Sequence, residues 1–312
     1  MFWIRVFFVL LSTVSTAMAR PDLSKPVGPT IADQGSAHYR FSHFDLDSVD
    51  GERHYRIWVA EPKRDAPPSG YPVIYLLDGN AALATLDEAL LSEMSRAEPP
   101  VIVAIGYATD LRFDTTARAY DYTPQLPGGQ PVVDDIVRER KGGGADTFLD
   151  LIEGQIKPRV SSIAPVDLKR QTLWGHSYGG LFTLHALFTR PQSFQSYVAA
   201  DPSIWWQEGY ILNEEKGFAP PPSPIRVTLM RGMAERVRDN DSDAVSAVVK
   251  ARRKATESVP PDAAARLAER LARYSGVSVS YRAFPELSHG PMLPVSLGET
   301  LRSVARVSPA GK

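Results

Sequence analysis

Two runs, Val73-Ile74-Tyr75-Leu76-Leu77 and Val101-Ile102-Val103-Ala104-Ile105, carry no charged residue at all. Short apolar runs bounded by polar turns fit strands covered on both faces, as in a parallel sheet sheathed by helices. Val277-Ser278-Val279-Ser280-Tyr281-Arg282-Ala283 alternates instead, which predicts a half-exposed strand near a sheet edge. Further strands are predicted at 38–47, 54–60, 172–174, 197–200 and 225–230, with the two apolar runs extending to 72–77 and 101–106. Helical periodicity fills the gaps at 82–95, 145–156, 178–188, 243–255, 262–274 and 297–305. Asp262, just after Pro260-Pro261, is a candidate N-cap, and Gly276 a candidate stop. Gly142-Gly143-Gly144 and the proline-rich 219–224 segment read as loops. Strands alternating with helices predict one α/β domain over 20–312, with a mostly parallel central sheet and helices on both faces. The stretch 243–274 is expected to be a helical insertion on the lid side.

The first nineteen residues do not fit that pattern. MFWIRVFFVLLSTVSTAMA has one cation, Arg5, then an apolar run, then small residues ending in Ala17-Met18-Ala19. This is the pattern of a cleavable secretory signal, and the run falls short of the ~20 residues needed to span a bilayer. The expectation is an exported protein, periplasmic or secreted, without stable membrane insertion.

Composition removes other options. A net charge of -1 argues against a nucleic-acid partner, which calls for a basic excess. With 0 cysteines, thiolate metal sites and a cysteine nucleophile are excluded.

Candidate chemistry centres on Leu173-Trp174-Gly175-His176-Ser177-Tyr178-Gly179-Gly180. A serine at a sharp strand-to-helix turn needs small neighbours two residues either side, and Gly175 and Gly179 supply them. Gly180 would let the helix approach the sheet closely. The new helix aims backbone N–H groups at a developing oxyanion, with that of Tyr178 as one donor. A second donor is expected after the strand 72–77, from Gly79 or Asn80.

A serine hydroxyl needs a base. Of the 6 histidines, His289 follows the last predicted strand and precedes a helix, where such a base belongs. His185 reads as a packed helix residue, and His43 and His54 lack the spacing of metal ligands. The acid is open on spacing alone: Glu235 is the first carboxylate past strand 225–230, Asp201 follows the preceding strand, and a dyad without an acid would also serve.

Taken together, the segments resemble the esterase D-like branch of the α/β hydrolases, and within it the hydrolases of catecholate siderophore trilactones. The resemblance rests on VIYLLDGN (73–80), RAYDYTP (118–124), Gly143-Gly144-Ala145 leading to Phe148, GHSYGGLF (175–182), DPSIWW (201–206), and Phe284-Pro285 through His289-Gly290. It implies an α/β-hydrolase fold, Ser177 as nucleophile, His289 as base and Glu235 as acid, with no metal or organic cofactor. It also implies a small-molecule ester substrate, for which Trp205 and Trp206 would offer aromatic faces and Arg118, Arg112 or Lys141 positive charge. Asp201 departs from the small polar residue often found there in relatives. A general carboxylesterase, an acyltransferase related to the mycolyltransferases, and a non-catalytic ligand-binding module are the alternatives.

Overall fold

The computed structural model describes residues 25–135, 140–234 and 254–307. Eight strands form one sheet in the order β1-β2-β4-β3-β7-β8-β9-β10. They are β1 (Tyr39–Asp47), β2 (His54–Pro62), β3 (Tyr71–Leu76), β4 (Val101–Tyr107), β7 (Val166–His176), β8 (Ser196–Ala200), β9 (Ile225–Gly232) and β10 (Val277–Phe284). β1 and β2 pair antiparallel, as do β2 and β4; every later pairing in the sheet is parallel. The apolar runs in β3 and β4 are buried at every position, and the alternating β10 lies at the sheet edge, largely exposed. Both outcomes follow from the patterns in the sequence.

Helices cover both faces. On one side lie α4 (Ala117–Asp121), α5 (Ala145–Leu151), α6 (Lys157–Ile163), α7 (Tyr178–Thr189), α8 (Ile211–Glu215) and α9 (Ala263–Leu271). On the other lie α1 (Ile31–Gln34), α2 (Gly79–Leu83), α3 (Glu88–Ser95) and α10 (Met292–Val304). No helix among the described residues is long and apolar enough to cross a membrane.

Several boundaries differ from expectation, each for a local reason. The helix expected over 82–95 is two helices, because Asp87 caps the second by accepting from the Leu90 N–H at 2.8 Å. α5 runs on through a π-helical turn, Ile152–Ile156, into α6, so this helical stretch outlasts the predicted one. β7 begins at Val166 rather than 172, its first half being polar and partly exposed. A short hairpin, β5 (Val132–Asp135) with β6 (Arg140–Gly142), has no counterpart in the prediction. Asp262 does stand at the N-terminus of α9, but its carboxylate goes to Arg266 and not to a backbone amide. The signal segment and 243–253 lie outside the described residues.

Candidate active site

The rim formed by the C-terminal ends of the parallel strands holds the candidate chemistry. Ser177 sits between β7 and α7 with φ 61 and ψ −116, a region that costs a non-glycine residue about 1–3 kcal/mol. Its surroundings hold it there: its N–H donates to Ala200 O, and its carbonyl accepts from Leu181 and Ser203, each at 3.0 Å. A Cβ on Gly175 would lie 2.2 Å from the Gly179 carbonyl oxygen, and one on Gly180 3.0 Å from Pro202 Cα. Close approach therefore requires glycine at 175, as the elbow pattern anticipates, and leaves Gly180 tight against Pro202; at Gly179, the other elbow glycine, a Cβ would come no nearer than 3.3 Å, to Leu77 Cβ.

His289 lies in the loop between β10 and α10. Its Nε2 is 3.0 Å from Ser177 Oγ, in position to accept the hydroxyl proton. Its Nδ1 donates to Asp201 Oδ2 at 2.5 Å, and that bond fixes the tautomer. Asp201 follows β8 with φ 43 and is 2% exposed. Burial works to raise its pKa, but the hydrogen bond and charge of His289, with the charge of Arg231, hold the carboxyl below its ordinary value. The Nδ1 position assigned to Glu235 in the sequence reading is thus taken by Asp201; Glu235 itself lies outside the described residues. Asp201 begins the DPSIWW segment, so it was visible in the sequence as the alternative acid. Chain order alone could not separate two carboxylates that follow adjacent strands.

His176, inside the elbow itself, donates from Nε2 to the backbone carbonyl of His289 at 2.9 Å. Burial, with the neighbouring His289, pushes its pKa well below the ordinary value, so it remains a neutral donor that anchors the loop carrying His289.

Tyr178 opens α7, so its N–H has no partner within the helix. Opposite it, Asp78 is left-handed (φ 52, ψ 50) and launches α2 with Gly79 and Asn80. A Cβ on Gly79 would stand 2.6 Å from Gly106 N, so only glycine fits against β4. Asn80 spends its side chain on this anchorage, accepting from Tyr107 N–H at 3.0 Å and donating to Thr109 O at 2.7 Å.

Arg118 proves to be a brace for that loop. Its Nε and Nη2 donate to Asp78 Oδ1 and Oδ2 at 2.7 and 2.8 Å, and the Asp78 N–H donates to Tyr122 Oη at 2.9 Å. The guanidinium lies 5.3 Å from the ring centres of Phe113 and Tyr178 and 5.4 Å from that of Tyr122. Two of its five N–H groups are committed, unlike those of a free surface cation. Behind it, Asp121 accepts from Tyr55 and Tyr107 hydroxyls and faces Arg53 at 3.0 Å; burial pushes its carboxyl up to about 7 despite Arg53. Arg118→Leu would leave the Asp78 carboxylate, 4% exposed, without its counter-charge. We expect a loss of about 3–5 kcal/mol of stability, read by denaturant unfolding at neutral pH.

The aromatic pair divides. Trp205 is partly buried with its ring 6.0 Å from that of Tyr178, the residue after Ser177. Trp206, expected to offer a face to substrate, is 1% exposed and donates from Nε1 to Asp134 Oδ1 at 3.0 Å. It is a core residue that docks the β5–β6 hairpin beside the site, helped by Gln207 donating to Val133 O. The hairpin had one signal in the sequence, the Gly142-Gly143-Gly144 run read there as a loop. Gly143 donates to Thr123 Oγ1, and a Cβ on Gly144 would strike the Tyr120 ring at 2.2 Å. Lys141 is exposed on β6. His185 is buried between Asp146 and Glu214; burial opposes its charge, but those hydrogen bonds push it up to about 9, as befits a structural imidazolium.

Residues 48–264 match the family described as "Putative esterase". The chain belongs to this esterase family. It is 38% identical over 305 residues to the apo-salmochelin esterase of Escherichia coli O6:H1 (strain CFT073), covering 96% of this chain and 91% of that one. It is 36% identical over 269 residues to the ferri-bacillibactin esterase BesA of Bacillus subtilis (strain 168), covering 82% and 86%. Among solved structures, the enterobactin hydrolase IroE in complex with DFP superimposes with a TM-score of 0.67 at 36% identity, over 89% of this esterase and 99% of IroE.

Proposed function

We propose that this esterase opens the ester bonds of a catecholate siderophore trilactone by a serine–histidine–aspartate mechanism, acting after export as one catalytic unit over 20–312. The observation that carries the reading is the hydrogen-bonded series Ser177 Oγ, His289 and Asp201. The substrate class is supported by relatives named as siderophore esterases, and by the aromatic Trp205 beside the nucleophile. Export is supported by the signal-like residues 1–19.

In this mechanism Ser177 Oγ attacks the ester carbonyl carbon while its proton passes to His289 Nε2. The carbonyl π electrons move onto oxygen, and the oxyanion is met by the N–H of Tyr178 and by one from the Gly79–Asn80 turn. The tetrahedral adduct collapses, the C–O bond to the leaving alkoxide breaks, and His289 returns the proton to it. Water then repeats the sequence on the acyl-enzyme and frees Ser177. Asp201 keeps the imidazole oriented and stabilises its transient positive charge.

The test is hydrolysis of a catecholate trilactone beside a short p-nitrophenyl ester, with products followed by mass spectrometry. A much higher kcat/KM on the trilactone supports the substrate assignment. Cleavage of the simple ester alone would leave an esterase of another target. Transfer of the acyl group to an added alcohol in preference to water would make it an acyltransferase, and binding without turnover a capture module.

A further inference from the structure

The acid of the triad has two oxygens, and only one faces the base. Asp201 Oδ1 accepts from Arg231 Nη1 at 2.6 Å, while Oδ2 holds His289 at 2.5 Å. Arg231 lies near the end of β9, next to the strand that delivers Asp201, and the Asp201 N–H donates to Met230 O at 2.7 Å. The carboxylate is fixed by the backbone on one side and by a guanidinium on the other. We infer that Arg231 is a positioning residue that sets the pH at which His289 can take the Ser177 proton. This inference rests on the serine–histidine–aspartate reading given above.

The sign follows from charge. A carboxylate beside an imidazole favours the protonated ring, which cannot act as a base. A guanidinium on the far oxygen shares the carboxylate's negative charge and adds a positive one near the ring. Both effects disfavour the imidazolium and extend base function to lower pH. Arg231 still leaves Asp201 ionised, so the orienting hydrogen bond survives.

Among the described residues, the other groups around His289 do not duplicate this role. His176, from the end of β7, is a neutral donor to the His289 carbonyl. Tyr281, on β10, has its pKa raised by burial and stays uncharged. Arg118, from α4, is already committed to Asp78. Glu286, on the same loop as His289, is exposed to solvent. Among the described residues, Arg231 is the cation that holds the Asp201 oxygen turned away from His289.

The test is kcat/KM for a neutral p-nitrophenyl ester from about pH 5 to about pH 9, in wild type, Arg231→Gln and Arg231→Lys. In Arg231→Gln the acid limb should move up by about 0.5–1 pH unit, with the plateau reduced less than about tenfold. Arg231→Lys restores the charge and should return the limb to within about 0.2 unit of wild type. The Arg231 side chain is 30% exposed, so raising salt from about 0.05 to about 1 M should move the wild-type limb upward as well. That arm needs no variant to fold. An unmoved limb in Arg231→Gln overturns the inference, as does a lysine variant shifted as far as the glutamine one. If the limb stays put while Ser177→Ala is inactive, Arg231 alone is misassigned. If Ser177→Ala is active, the underlying mechanism falls.

Discussion

Ser177→Ala is expected to lose about five to six orders of magnitude in kcat on any ester this protein cleaves. The hydroxyl it removes is the group 3.0 Å from His289 Nε2, and Ser203 Oγ, 3.4 Å from Ser177 Oγ, is not held by that base. Alanine at φ 61 suffers the same backbone strain as serine, so the fold should survive with little change in stability. Substrate affinity should be kept, because the oxyanion loop and the Trp205 face remain. Two assays check this: single-turnover hydrolysis, and labelling by a fluorophosphonate followed by peptide mass spectrometry. Wild type should carry one adduct on the 175–180 segment and the variant none. Substantial turnover by Ser177→Ala, or labelling at another serine, would sink the assignment of the nucleophile.

Asp201→Asn should lower kcat by about three to four orders of magnitude while leaving KM within a few-fold. The amide would present a donor to Nδ1, favouring the wrong tautomer, with the Nε2 proton aimed at the serine it should deprotonate. The same change would set an amide against Arg231, which now donates to Oδ1 at 2.6 Å. Glu235→Gln, by contrast, should leave the rate within a factor of about three, because Asp201 already holds His289 Nδ1. Steady-state kinetics on the two variants decide between the carboxylates. Loss of rate in Glu235→Gln and not in Asp201→Asn would return the acid to the position after β9.

These two variants also mark how far the sequence could be read. Continuous apolar runs at 73–77 and 101–105 are legible because burial on both faces leaves no polar position. The nucleophile turn is legible because close packing forbids any Cβ at Gly175. His289 follows from its place after the last strand. What one dimension hides is lateral: Asp201 and Glu235 follow neighbouring strands, and only the sheet's register brings one of them to Nδ1. Trp206 was misread for a related reason: it has the chemistry of a ligand contact and spends it inside the protein, on Asp134. Arg118 gives two of its five N–H groups to Asp78. The β5–β6 hairpin lay below the threshold of any period count, since its strands are only 4 and 3 residues long.

Ser177 and His289, in contact across the site, stand 112 positions apart in the chain. Synthesis runs from the N-terminus, so a nascent polypeptide contains the β7–α7 segment before His289 has been added. His289 is delivered by the loop leading into α10, which packs across β3, β7, β8 and β9. On the proposed mechanism, docking of that last helix is the step that brings the base to the serine. A product ending before β10 then lacks its base and is expected to cleave no ester, however well its earlier part has folded.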